Sequence, residues 1–129
     1  MSCGSKGKNE GIIMKMCSQE LLDELDKEIK VGTEIPKTRE GARPVTKKEG
    51  DRIWMRTGVQ TKAKKYITKE MVLYAFEVIQ SGKPFTWAGL KGKFPEECGQ
   101  GGCVFSMTGG ILVLFRIARY IQGKGYIAK

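Results

Sequence analysis

Two cysteines, Cys98 and Cys103, bracket four glycine-rich residues in the stretch "ECGQGGCVFSMTGG" at residues 97–110, and a second glycine pair, Gly109–Gly110, follows. Four chemistries suit such a loop: a metal knuckle, a redox dithiol, a phosphate cradle or a covalent staple. The chain has no histidine, so zinc would need four thiolates, with Cys3 and Cys17 completing the set. Thirteen residues separate those two, a spacing that fits no zinc ribbon. A dithiol of the redox type asks for Cys-x-x-Cys beside a βαβ unit, and neither is present. The spacing of glycine and lysine in "GLKGKF" and "QSGKPF" does not make a nucleotide phosphate loop. A disulfide between Cys98 and Cys103 remains, with two ordinary buried thiols as its alternative. Closing so short a loop would stabilise by only ~2 kcal/mol. A lone asparagine, Asn9, and the absence of histidine fit a thermophilic source, in which intracellular disulfides persist.

Without histidine there is no Ser-His or Cys-His nucleophile pair. No paired carboxylates in an apolar setting suggest acid–base catalysis. No catalytic residue, metal, cofactor or small-molecule substrate is therefore expected. The charge points elsewhere. With 23 Lys+Arg against 14 Asp+Glu the net charge is +9 over 129 residues, a balance that attracts polyanions, nucleic acid first among them. Residues 31–67 carry ten of the basic groups and four acidic ones. No apolar run is long enough to cross a bilayer, and the basic start "MSCGSKGKNEG" lacks a signal-peptide core, so a soluble, cytoplasmic protein with no membrane partner is expected.

Three parts must position these groups. In residues 1–30 a mobile start precedes an amphipathic helix in "CSQELLDELDKEIKVG", capped by Ser18 and burying Leu21, Leu22, Leu25 and Ile29. Residues 31–65 read as a basic linker or arm, with one short strand in "DRIWMRTG" anchored by Trp54. In residues 66–129, Thr68 caps a helix whose Met71, Val72, Ala75, Phe76 and Ile79 share a face, and Gly82 stops it. Thr86 caps a short helix over 87–93 that Pro95 ends. "MTGGILVLFRIARYIQGKG" reads as one long helix, capped by Ser106 or Thr108 and ended at Gly123 or Gly125, with "YIAK" as a closing strand.

Helix, short helix, turn, longer helix and "GKGYI" give residues 66–129 a resemblance to winged helix-turn-helix domains, in particular the small ones of archaea and their viruses. The end of "LVLFRIARYIQGKGYI" resembles that family's third helix and the glycine turn into its wing. The resemblance implies a mainly α fold with a small β wing: a winged-helix-like three-helix core behind a basic N-terminal extension. It also implies double-stranded DNA as partner, a role in transcription regulation and frequent homodimers.

On such a domain Arg116, Arg119 and Tyr120 would line one face of the last helix and carry any base readout. Lys62, Lys64, Lys65, Lys91, Lys93 and Lys124, with Arg52 and Arg56 on the arm, would neutralise phosphates. The glycine pair would let backbone approach a phosphate. The plainer reading makes the last helix central core or a dimer interface. Two rival functions stand beside duplex binding: a protein-interaction adaptor docking through the apolar last helix, and a single-stranded DNA or RNA binder using Trp54 and Tyr66.

Overall fold

A computed structural model describes residues 17–38, 41–57 and 64–129. It is mixed α/β, 44% helical and 29% strand, and this corrects the mainly α expectation. Helix α1 (Ser18–Glu28) is followed by strands β1 (Glu34–Pro36), β2 (Ala42–Glu49), β3 (Arg52–Arg56) and β4 (Lys64–Thr68), which form one antiparallel sheet in the order β1-β2-β3-β4. Helices α2 (Lys69–Gln80), α3 (Trp87–Lys93), α4 (Pro95–Cys98) and α5 (Cys103–Leu114) come next, and the hairpin β5 (Ala118–Ile121) and β6 (Gly125–Ala128) closes the chain.

The segment expected to be a linker thus supplies β1, β2, β3 and the start of β4. Burial alternates along "RIWMR": Ile53 and Met55 turn inward while Arg52, Trp54 and Arg56 turn outward. Gly50 takes φ +58° as the first of two residues in the β2–β3 turn, where tight hairpins favour glycine. The inner residues Ile35, Val45, Ile53, Met55 and Ile67 join Leu21, Leu25 and Ile29 of the first segment, the buried face of α2, and Val104, Met107, Ile111 and Leu112 of α5 in one core. Thr68 caps α2 by accepting from Met71 N–H at 3.2 Å, and Thr86 caps α3 by accepting from Gly89 N–H at 3.1 Å, as their positions predict. Asp26 and Lys69, 2.6 Å apart, tie α1 to α2, and the Lys69 ammonium holds the Asp26 carboxyl below its usual range.

Helix α5 departs from expectation in both length and surroundings. It ends at Leu114, not at Gly123. Arg116 sits in the left-handed region at φ +65°, its N–H bonds to the Val113 carbonyl at 2.9 Å, and Ile117 N–H reaches back to Leu112 at 2.9 Å. This is a Schellman stop with Ile117 and Leu112 both buried beside it. Glycine usually occupies that position, because an L side chain there costs ~1 kcal/mol. The chain then runs out as β5. Upstream of the stop, α5 is buried almost all round, and it packs against β1, α2, β4 and β5. Gly109 and Gly110 serve that packing. A Cβ on Gly110 would lie 2.4 Å from the Pro36 carbonyl oxygen, and one on Gly109 would lie 2.1 Å from Cε2 of Tyr126.

Candidate nucleic-acid interface

The outer face of the four-stranded sheet brings together residues from three strands. Trp54 on β3 stands opposite Tyr66 on β4 and Lys47 on β2; Arg56 stands opposite Lys64, and Arg52 opposite Glu49 and Thr68. Cross-strand partners share a face, so Lys47, Arg52, Trp54, Arg56, Lys64 and Tyr66 form one surface, with Glu49 at its margin. The two rings lie with centroids 4.9 Å apart, tilted by 46°. The Arg52 guanidinium lies 4.2 Å from the centre of the Tyr66 ring, and Lys47 Nζ lies 5.9 Å from that of Trp54. The indole N–H of Trp54, a donor with no other polar capacity, has no hydrogen-bond partner among the described residues.

A β-bulge makes this face. Val45 pairs with Met55 and Lys47 with Trp54, so the extra residue, Thr46, shifts the strand by one. Before the bulge Val45 points into the core; after it Lys47 points out beside Trp54 and Lys48 points in. Lys48 is then placed to donate to the C-terminal carbonyls of α1, Leu25 at 3.2 Å and Asp26 at 3.4 Å, where a cation suits the helix dipole.

The glycine-rich loop holds the edge of the sheet. Gln100 donates from Nε2 to the Tyr66 carbonyl at 2.8 Å and accepts at Oε1 from Tyr66 N–H at 2.9 Å, pairing with β4 as another strand would. Gly101 is folded against the Lys65 side chain. Cys98 and Cys103 are free thiols, one buried and one half-buried, which overturns the expected disulfide. Backbone turns, with Gly101 N–H bonded to Cys98 and Val104 N–H to Gly101, hold the loop in place of a covalent bond. Burial pushes the Cys98 thiol up, with Glu97 adding in the same direction.

The other expected contacts are dispersed. Arg116 lies on the turn after α5 and Arg119 and Tyr120 lie on β5, so they do not line a helix face. Arg116 and Arg119 are exposed, while Tyr120 leans on Tyr126 at 5.1 Å. Lys124 is exposed at the β5–β6 turn. Lys91 and Lys93 are exposed on α3, Lys91 above Trp87 at 5.3 Å. Lys65 belongs to the other face of β4 from Lys64. Lys62 and Cys3 lie outside the described residues.

Lys47 was absent from the expected set, because a lysine pair in "TKKE" gives no sign of which member faces out until the bulge is known. Among the described residues no helix is long and apolar enough to cross a membrane. Comparison with protein-family models, with curated proteins and with solved structures gives no match.

Proposed function

We propose that this protein binds single-stranded nucleic acid on the outer face of its four-stranded sheet. The observation that carries the reading is the Trp54–Tyr66 pair set among Lys47, Arg52, Arg56 and Lys64. Aromatic rings supply stacking platforms for unpaired bases, and the cations flanking them meet the phosphates between successive bases. The arginine over Tyr66 widens the platform, since a guanidinium plane stacks as a ring does. Such a face has no sequence code of its own and favours strands that can splay their bases.

Duplex DNA binding, as in a transcription regulator, is the second reading. It is favoured by the order of elements from α2 onward: Phe85 exchanges both backbone hydrogen bonds with Tyr126, which adds a short strand contact between α2 and α3 to the terminal hairpin. That order suits a winged helix, with Lys91, Lys93, Arg119 and Lys124 available to phosphates. The burial of α5 weighs against base readout by that helix, and equally against an adaptor that docks through it.

Fluorescence anisotropy with a labelled single strand and the matching duplex, as DNA and as RNA, separates the readings. Single strands are expected to bind more tightly, with affinity falling as salt rises. Arg56→Ala and Lys64→Ala are each expected to lower the slope of log K against log salt by about 0.7 for single strands. A duplex that binds as tightly as the single strand, with slopes unmoved by either substitution, would transfer the function to the hairpin side.

A further inference from the structure

The inner side of the sheet holds a cation with no anion among the described residues. Arg43 on β2 is buried, 8% exposed, and its Nη1 donates to Ser106 Oγ on α5 at 2.9 Å. Ser106 in turn donates to the Cys103 carbonyl at 3.1 Å, so its hydroxyl is spent. No described carboxylate forms an ion pair with Arg43. Arg43 Nε is buried with no hydrogen-bond partner among the described residues, and so is the hydroxyl of Tyr126, a residue only 1% exposed. Both side chains meet one stretch of α5: Ser106 takes Arg43, and Gly109, three residues on, lies against the Tyr126 ring. Burial raises the Tyr126 hydroxyl, Tyr120 adds to this and the charge of Arg43 opposes it, so the phenol stays a neutral donor near the guanidinium.

A buried arginine left uncompensated is costly, and a buried donor left unmade costs about 1–3 kcal/mol. Two such donors and an unpaired cation together ask for a ligand with negative charge and several acceptor oxygens. We infer that Arg43, positioned by Ser106, and Tyr126 form a binding site for a phosphate-class oxyanion, with Arg43 as the charged fork and Tyr126 Oη as the second donor. Arg43 and Ser106 each keep 8% exposure, so the cluster lies just beneath the surface. Half-buried Phe105 and Tyr120 pack directly against Tyr126, with centroids at 5.2 and 5.1 Å. The oxyanion is either free phosphate or the phosphate of a mononucleotide. This site lies on the opposite side of the sheet from Trp54 and stands or falls apart from the single-strand reading.

The test is thermal unfolding of the full chain with sodium phosphate, adenosine 5′-monophosphate or adenosine, each at constant ionic strength made up with chloride. Phosphate at ten times its dissociation constant is expected to raise the midpoint by about 5 °C. A larger shift with the nucleotide identifies a nucleotide as the source, and equal shifts identify free phosphate. Arg43→Met and Tyr126→Phe should each abolish or halve the shift. Nitrogen-15 NMR of the wild-type arginine Nε–H groups supplies a readout that needs no variant to fold: the Arg43 resonance should move in phosphate and stay still in chloride. The inference is overturned if phosphate gives no more than chloride in both measurements, if adenosine alone matches the nucleotide, or if the shift is undiminished in both variants.

Discussion

Trp54→Ala is expected to weaken single-strand binding by about 5- to 150-fold, the loss of one base–aromatic stack worth ~1–3 kcal/mol. Tyr66→Ala should fall in the same range, and because the rings touch, the double variant should lose less than the product of the two. Trp54→Phe, which keeps a ring, should retain most of the affinity. The measurement is anisotropy at one fixed salt concentration, with the salt slope taken as a second reading. Stacking loss leaves that slope alone, whereas Arg56→Ala and Lys64→Ala change it. Removing the Trp54 ring also removes an aromatic pair worth about 0.5–1.5 kcal/mol, a fraction of the stability usual for a domain of this size. The variant is therefore expected to stay folded, and circular dichroism checks that. An unchanged affinity for Trp54→Ala and Tyr66→Ala alike would remove the sheet face from the site.

Gly110→Ala should destabilise the fold, against the usual direction. In a helix, replacing glycine with alanine commonly stabilises by ~1 kcal/mol. Here the new methyl would meet the Pro36 carbonyl oxygen at 2.4 Å and Ile35 Cγ2 at 2.8 Å. The first of these is backbone in β1 and cannot rotate aside, so α5 would have to move off the sheet edge it supports. A net loss of about 1–3 kcal/mol is expected, seen as a lower urea midpoint with the slope of the transition unchanged. Gly109→Ala meets the ring of Tyr126, which is packed against Phe85 and Phe105, and should behave similarly. A Gly110→Ala protein more stable than the parent would show that α5 and β1 are not packed this closely.

These glycines also show where sequence reasoning reached its limit. A glycine pair at the start of an apolar run suggests a backbone that comes close to something; in this fold the neighbours are Pro36 and Tyr126, not a phosphate. The helices α1, α2 and α3 were legible because apolar spacing and caps are local signals; the structure has Thr68, Thr86 and Gly82 where the spacing puts them, while the cap of α1 is Cys17, one residue before the expected Ser18. The end of α5 was not. Apolar residues continue at helical spacing through Ile117, Ala118 and Ile121, and the stop is made by Arg116 in the left-handed conformation, beside a fully buried Ile117. The sheet was hidden for a different reason. Its strands are short and charged, β1 has three residues, and β2 changes face at Thr46, so alternation is broken in the segment where it was most needed. Trp54 and Tyr66 could be named from the sequence, but eleven residues separate them, and only the register of β3 against β4 makes them neighbours.

The most direct measurement of the sheet-face claim is tryptophan fluorescence on a Trp87→Phe protein, in which Trp54 is the only indole left. Titration with a single-stranded oligonucleotide should quench that emission with the same midpoint as the anisotropy change. Emission that stays constant while anisotropy rises would mean that the nucleic acid binds elsewhere on the protein, and would contradict the assignment of the sheet face.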